Sequence, residues 1–246
     1  MRLILLGSSG YHPSDQRHTA CLLIPEHGVM LDAGTGMYRA AQWLQTPQLD
    51  IFLTHAHLDH VVGLTYLFSV VRQHPLDDVR VHAPPEKIEA LEQHLLAEPL
   101  FPARLPCRFV PLTGNVALPG GGQLAAFPVV HPGGAVGFRL DWPGHSLAYV
   151  TDTTADPFAP YLPEIRGVNL LVHECYLGDA HAELARRTGH SYTTAVAQLA
   201  QAAQVGRLVL VHLDPTSTEA DPVGLSAARA VFPNTQLGYD LMAIDF

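Results

Sequence analysis

Short apolar runs alternate with turns through the first quarter of the chain, at Leu3–Leu6, Thr19–Ile24, Val29–Leu31 and Ile51–Thr54. Their length predicts β-strands, and the last reads as a buried one. Helical spacing predicts a helix over about 36–45 and another from His60 through Val71. A strand at Val79–His82 should stop at Pro84-Pro85, which then opens a helix over Glu86–Leu96. Further strands are expected at Cys107–Val110, Gln123–Val130, Gly137–Leu140, Ser146–Val150, Val168–His173 and Arg207–His212, and an alanine-rich helix at Thr193–Ala203. The Gly120-Gly121-Gly122 run is a turn between strands. Each half of the chain thus runs through strands and then helices. Two mixed sheets packed together, with helices on both outer faces, would give this pattern, with a site at the edge where the loops gather.

Composition narrows the picture. With 246 residues, 48% hydrophobic and 15% charged, the chain can bury a substantial core, and we expect one domain over 1–246. Leu3–Leu6, set between Arg2 and the Gly7-Ser8-Ser9-Gly10 turn, is too short for a signal-peptide core or a membrane span. Cys21, Cys107 and Cys175 are odd in number and form no C-x-x-C pair, which argues against disulfides or a thiolate zinc site. A cytoplasmic, membrane-free protein is the resulting expectation. The net charge of −9, with Lys87 the only lysine, works against binding of long nucleic acid, so any phosphate contact must be local.

The chemistry is concentrated in Thr54-His55-Ala56-His57-Leu58-Asp59-His60, where a buried strand ends. His55 and His57 could bind one ion through imidazole nitrogens, while Asp59 and His60 face differently and could bind a second. Imidazole and carboxylate without thiolate suit zinc, and also manganese or iron. Four residues cannot saturate two ions, so further ligands should lie at later strand ends. His131, Asp152 and His212 stand there. Alone, each reads more simply as a hydrogen-bonded loop residue or a helix cap; beside the first cluster they complete a ligand set.

The stretch THAHLDH resembles the signature of the metallo-β-lactamase superfamily, and His131, Asp152 and His212 resemble its remaining ligand positions in order. Leu31-Asp32-Ala33-Gly34 is similar to the acidic turn that supports the first metal loop in that family. The resemblance covers essentially the whole chain and implies an α/β fold, the four-layer αββα sandwich. It implies His55, His57 and His131 on one metal, Asp59, His60 and His212 on the other, and Asp152 bridging both. Val172-His173-Glu174-Cys175, Gly189-His190-Ser191 and the opening Leu5–Gly10 turn resemble the ribonuclease Z branch, whose members cut phosphodiesters. Gly238–Met242 is similar to that branch's last strand, with Leu241 where the branch usually has glycine. By the same resemblance His190 is an extra histidine over the site, and a homodimer is implied. The tRNA-gripping arm of the branch belongs between the third histidine and the bridging aspartate. Asp152 follows His131 by only 21 positions, and the stretch between them reads as a β-hairpin. An arm-less relative that acts on something smaller than tRNA, such as the cyclic-phosphate phosphodiesterases of the phosphonate pathway, is at least as good a model.

The expected activity is therefore that of a binuclear hydrolase using a metal-bridging hydroxide on a small cyclic or linear phosphodiester or a short RNA. Asp59 would take the proton of the bridging water, and His190 would donate to the leaving oxygen. Glu174 could orient a histidine, and Arg17 and His18 could contact phosphate or cap their loop. Hydrolysis of a carboxylic ester, thioester or lactone is the alternative, since the same hydroxide attacks carbonyls. A metal-binding scaffold without activity is a third reading, against which the complete ligand set argues.

Overall fold

The computed structural model describes residues 1–246, which form fourteen strands in two seven-stranded sheets. In the first sheet β1 (Arg2–Gly7), β2 (Cys21–Ile24) and β3 (Val29–Leu31) run antiparallel. The strands β4 (Gln48–Phe52), β5 (Asp78–Ala83) and β6 (Arg108–Pro111) continue it parallel to β3. The second sheet repeats the plan. Antiparallel β7 (Val116–Leu118), β8 (Gly122–Val129), β9 (Ala135–Trp142) and β10 (His145–Val150) are followed by parallel β11 (Leu170–Glu174), β12 (Leu208–Val211) and β13 (Thr235–Leu237). The last strand, β14 (Ala243–Asp245), returns to pair with β1.

Alternation along each strand explains the layering. Leu3, Leu5, Leu22, Ile24 and Phe52 point between the sheets, against Phe138, Leu140, Tyr149 and Val209. Ile4, Leu6 and Leu23 point outward, under a 3-10 helix at Thr35–Gln42 and the helices α1 (Leu58–Val61), α2 (Leu67–Gln73) and α3 (Pro85–Ala90). On the opposite side α4 (Leu162–Ile165), α6 (Thr193–Ala202) and α7 (Leu225–Val231) cover the second sheet, and α5 (Ala182–Thr188) precedes α6. Strands buried on both faces must be apolar at every position, which is why the runs read as continuous rather than alternating. The result is the expected αββα sandwich. No helix is long and apolar enough to cross a membrane.

Some expected elements differ. The region 36–45 forms a tighter 3-10 helix, and the helix expected from His60 through Val71 is broken by a 3-10 turn at Val62–Tyr66. The break centres on Gly63, whose N–H leaves the helical ladder for the Ala33 carbonyl at 2.8 Å. A methyl group there would fall 2.2 Å from the Gly34 carbonyl oxygen, so this contact requires glycine. Gly238–Met242 is a turn rather than a strand; the pairing strand begins one residue later, at Ala243. Leu241, standing where glycine was expected, does adopt a left-handed backbone, φ +65°. The short β7, β13, α4 and α7 carried no periodic signal.

The α6 helix closes with Val205 N–H on Ala200 O, which places the exposed Gln204 at φ +55° with its side chain making no hydrogen bond. Gln204→Gly should remove that strain and raise stability by up to about 1 kcal/mol, seen as a rise of a few degrees in the unfolding midpoint. A fall would show that the left-handed cap is not strained.

Candidate metal centre

The site lies where the carboxyl ends of central strands from both sheets meet. Beyond β4 the chain passes through Leu53 and Thr54 to His55 and His57, and α1 then brings round Asp59 and His60. From the second sheet His131 follows β8, Asp152 follows β10 and His212 follows β12. All seven residues converge. His55, His57, His131 and Asp152 form one group, and Asp59, His60 and His212 a second.

Asp152 joins the groups. Its Oδ2 lies 3.6 Å from His55 Nε2 and 3.5 Å from His131 Nε2, while its Oδ1 lies 3.2 Å from both His60 Nε2 and His212 Nε2. His57 Nδ1 is 3.3 Å from His131 Nε2, and Asp59 Oδ2 is 3.4 Å from the Nε2 atoms of His60 and His212. Donor atoms held tetrahedrally about 2.0–2.2 Å from a zinc ion lie about 3.3–3.6 Å apart, so the spacing fits ligands around an ion. His55 Nε2 gives an independent sign: it is buried and has no hydrogen-bond partner in the protein.

The ligand atoms are aimed from behind. Asp32, fully buried just after β3, accepts the Thr54 N–H at 2.8 Å, the Thr54 hydroxyl, the Tyr149 hydroxyl at 2.9 Å and His60 Nδ1–H at 2.8 Å. A carboxylate only accepts, so His60 carries a proton on Nδ1 and turns Nε2 to the site. His55 Nδ1 is 3.0 Å from the Thr54 oxygen, whose own proton goes to Asp32, so His55 is oriented the same way one step removed. Asp59 is held by the Tyr11 N–H at 2.8 Å.

Electrostatics follow the burial. Burial, reinforced by His60, holds His55 well below the usual histidine range, which keeps it the neutral ligand that a metal needs. Burial also opposes charge on His60, but Asp152, Asp32 and Asp59 outweigh it and raise its pKa well above normal. Asp59 is pushed up by burial and down more strongly by His60 and His212, so it stays ionised.

His190 sits on the loop between α5 and α6 and faces the same space, grouped with Asp152 and His212. Its Nδ1–H donates to the buried Glu174 at 3.1 Å, and Glu174 is itself fixed by the N–H groups of Thr153 at 2.7 Å and Ser191 at 3.1 Å. Glu174 thus orients His190 as expected. Arg17 and His18 act as caps: Arg17 donates to the Gly238 carbonyl and Ser8, and the His18 ring contacts Thr35 and Tyr38. Cys175 is a buried small residue whose thiol burial pushes far up, so it is no nucleophile.

Three tyrosines at the site escaped the sequence reading. Tyr149 reaches Asp32 from the second sheet, Tyr11 fixes Asp59 through its backbone, and Tyr176 stacks on His190 with ring centroids 4.7 Å apart. Tyr176 directly follows the His173-Glu174-Cys175 stretch, the one local signal that could have flagged it. Tyr11, Asp32, Asp152 and His212 all have positive φ, between +49° and +58°. Such backbone strain in ordinary residues gathers at functional sites.

A model described as the beta-lactamase superfamily domain matches residues 27–213. Ribonuclease Z of Bradyrhizobium sp. (strain ORS 278) is 30% identical in an alignment 299 positions long that covers 97% of each chain. That alignment exceeds the 246 residues present here, so the relative carries insertions that this chain lacks. Ribonuclease Z of Synechococcus sp. (strain CC9605) is 43% identical over 107 residues, 42% of this chain; the match spans about a third (33%) of that enzyme. The metallo-beta-lactamase fold protein YhfI from Bacillus subtilis superposes with a TM-score of 0.82 at 16% identity, covering 99% of both chains.

Asp32→Asn keeps the size of the side chain but confuses the histidine tautomers it sets. Divalent-metal affinity should fall about 10–100-fold, with a loss of about 2–4 kcal/mol in stability. Competition of the purified protein against a zinc indicator, alongside denaturant unfolding, checks both; unchanged affinity would deny Asp32 its orienting role.

Proposed function

Because the chain belongs to the beta-lactamase superfamily, in its ribonuclease Z-like branch, we propose that this metal-dependent hydrolase is a binuclear phosphodiesterase acting on a small phosphodiester or a short RNA. The observation that carries the two-ion reading is the division of Asp152, one oxygen turned to each group of histidines. His55, His57 and His131 would hold one ion, and Asp59, His60 and His212 the other, with Asp152 shared. A donor set of imidazoles and carboxylates favours zinc, with manganese and iron as the alternatives. Divalent ions bound there would supply activation of water near neutral pH and neutralisation of charge developing on a phosphoryl oxygen.

The protein's own groups have the remaining roles. Asp59 is anchored by the Tyr11 N–H and lies close to both His60 and His212, so it is placed to accept the proton of the attacking water. His190 is pinned at Nδ1 by Glu174, which leaves Nε2 for the substrate. Burial disfavours its protonation, but the bond to Glu174 and the charges of Glu174, Asp152 and Asp59 raise its pKa above the ordinary value. A histidine so biased can give its proton to a leaving oxygen. The short interval between His131 and Asp152 holds only the β9–β10 hairpin, leaving no arm with which to grip tRNA at that place. Together with the charge of −9, this favours a short or small substrate.

Metal analysis with turnover of bis(p-nitrophenyl) phosphate, a p-nitrophenyl ester and a lactone tests the reading. Two ions per chain are expected, with the diester cleaved in preference and activity lost on chelation and restored by a divalent ion. Asp59→Ala and His190→Ala should each lower kcat about 10²–10⁴-fold. A protein that holds two ions yet cleaves only the carbonyl substrates would overturn the proposal, and full activity in Asp59→Ala would show that the site is wrongly assigned.

A further inference from the structure

Above the metal ligands the site opens into a pocket of about 540 Å³, room for one nucleoside-sized group rather than a length of chain. Its walls away from the ligands are largely apolar: Tyr11, Pro132, Tyr176 and Leu184. Tyr11 is 72% exposed and Leu184 40%, so apolar surface stands open to water beside a polar centre. No lysine or arginine lines the pocket, and beyond the ligand cluster its one carboxylate is Asp214, held by Thr216.

Of the nearby cations Arg187, exposed on α5 between Leu184 and Thr188, has no partner in the protein and does not line the pocket, whereas the others are committed elsewhere. Arg186 lies over the Tyr192 ring and donates to its hydroxyl, and Arg17 is tied to Gly238 and Ser8. Lys87 donates to the Gly133 carbonyl in a separate cleft behind His57. A substrate carrying further phosphates would therefore bring them beside Asp214 with no positive side chain in the pocket wall. A flat uncharged substituent would instead remove the apolar rim from water. The Tyr176 hydroxyl makes no hydrogen bond within the protein. As a neutral phenol lining the pocket it is a donor for a substrate oxygen.

We propose that this rim selects a singly charged phosphodiester bearing one flat, uncharged substituent, with Tyr11 and Tyr176 as its specificity residues, and excludes polyanions. The inference rests on the phosphodiesterase reading and refines it.

The test compares kcat/KM for bis(p-nitrophenyl) phosphate, methyl p-nitrophenyl phosphate and a short single-stranded RNA in the metal-loaded enzyme. The first two share a leaving group and differ only in the substituent that would sit against the rim. We expect a preference of at least about tenfold for the bis-aryl diester over the methyl diester. In Tyr11→Ala most of that preference should vanish, with KM rising more for the bis-aryl diester than for the methyl diester. Tyr176→Phe, which keeps the ring stacked on His190, should weaken both diesters alike. Asp214→Lys should raise turnover of the RNA relative to the diesters. Equal preference in wild type and Tyr11→Ala, or an RNA cleaved better than either diester by the wild type, would overturn the inference while leaving the phosphodiesterase reading standing. Absence of turnover on every phosphodiester would instead remove that reading itself, and the inference with it.

Discussion

The site depends on one buried carboxylate. Asp32 has no contact with solvent, yet it collects four donors: the N–H and hydroxyl of Thr54, the ring N–H of His60 and the hydroxyl of Tyr149. An ion in such a place is costly unless every lone pair is used, and here they are. Thr54 and His60 belong to the segment beyond β4 of the first sheet, whereas Tyr149 comes from β10 of the second. One side chain therefore shapes the ligand loop, sets the tautomer of His60, orients His55 through Thr54 and ties the two sheets together beneath the metal centre.

From that base the convergence of the seven ligand-type residues is a matter of topology. Parallel central strands in both sheets end on the same side, and each releases a loop there. Holding those loops close forces the backbone of Asp32, Asp152 and His212 into the left-handed region. The crowding extends to Gly10, where a methyl group would lie 2.4 Å from the His212 ring, so that neighbour has to be glycine. Asp240 adds a brace from the far end of the chain. It accepts the N–H groups of Ser8 and His18 and pairs with Arg39, holding in place the loop that brings Tyr11 to Asp59.

The same scaffold leaves its specificity to the surroundings of the ligands. An interval reduced to a plain hairpin, a net negative surface and a pocket edged by tyrosine and leucine all bear on what can reach the centre, and none of them alters the centre itself. On the proposed reading, chemistry and selectivity would be carried by different residues, as is usual when a rigid core positions variable loops.

Much of this was legible along the chain. Apolar runs marked the long strands, because a strand covered on both faces must be apolar throughout, and ligand-type residues stood immediately after them. The run from His55 to His60, with His131, Asp152 and His212, announced its chemistry by residue type and position. Elements whose form depends on distant contacts were not legible. The helix expected from His60 breaks because Gly63 pairs with Ala33, a partner thirty positions away. Arg17 proved to be a cap because Gly238 lies against it. Sequence by itself determined the layers of the fold and the kinds of ligand, since both follow from local patterns of polarity. Only the tertiary structure decided that Asp152 turns one oxygen to each group, that Tyr149 and Tyr11 brace the centre, and that Tyr176 meets His190, because those relations join segments that approach one another only when the two sheets pack.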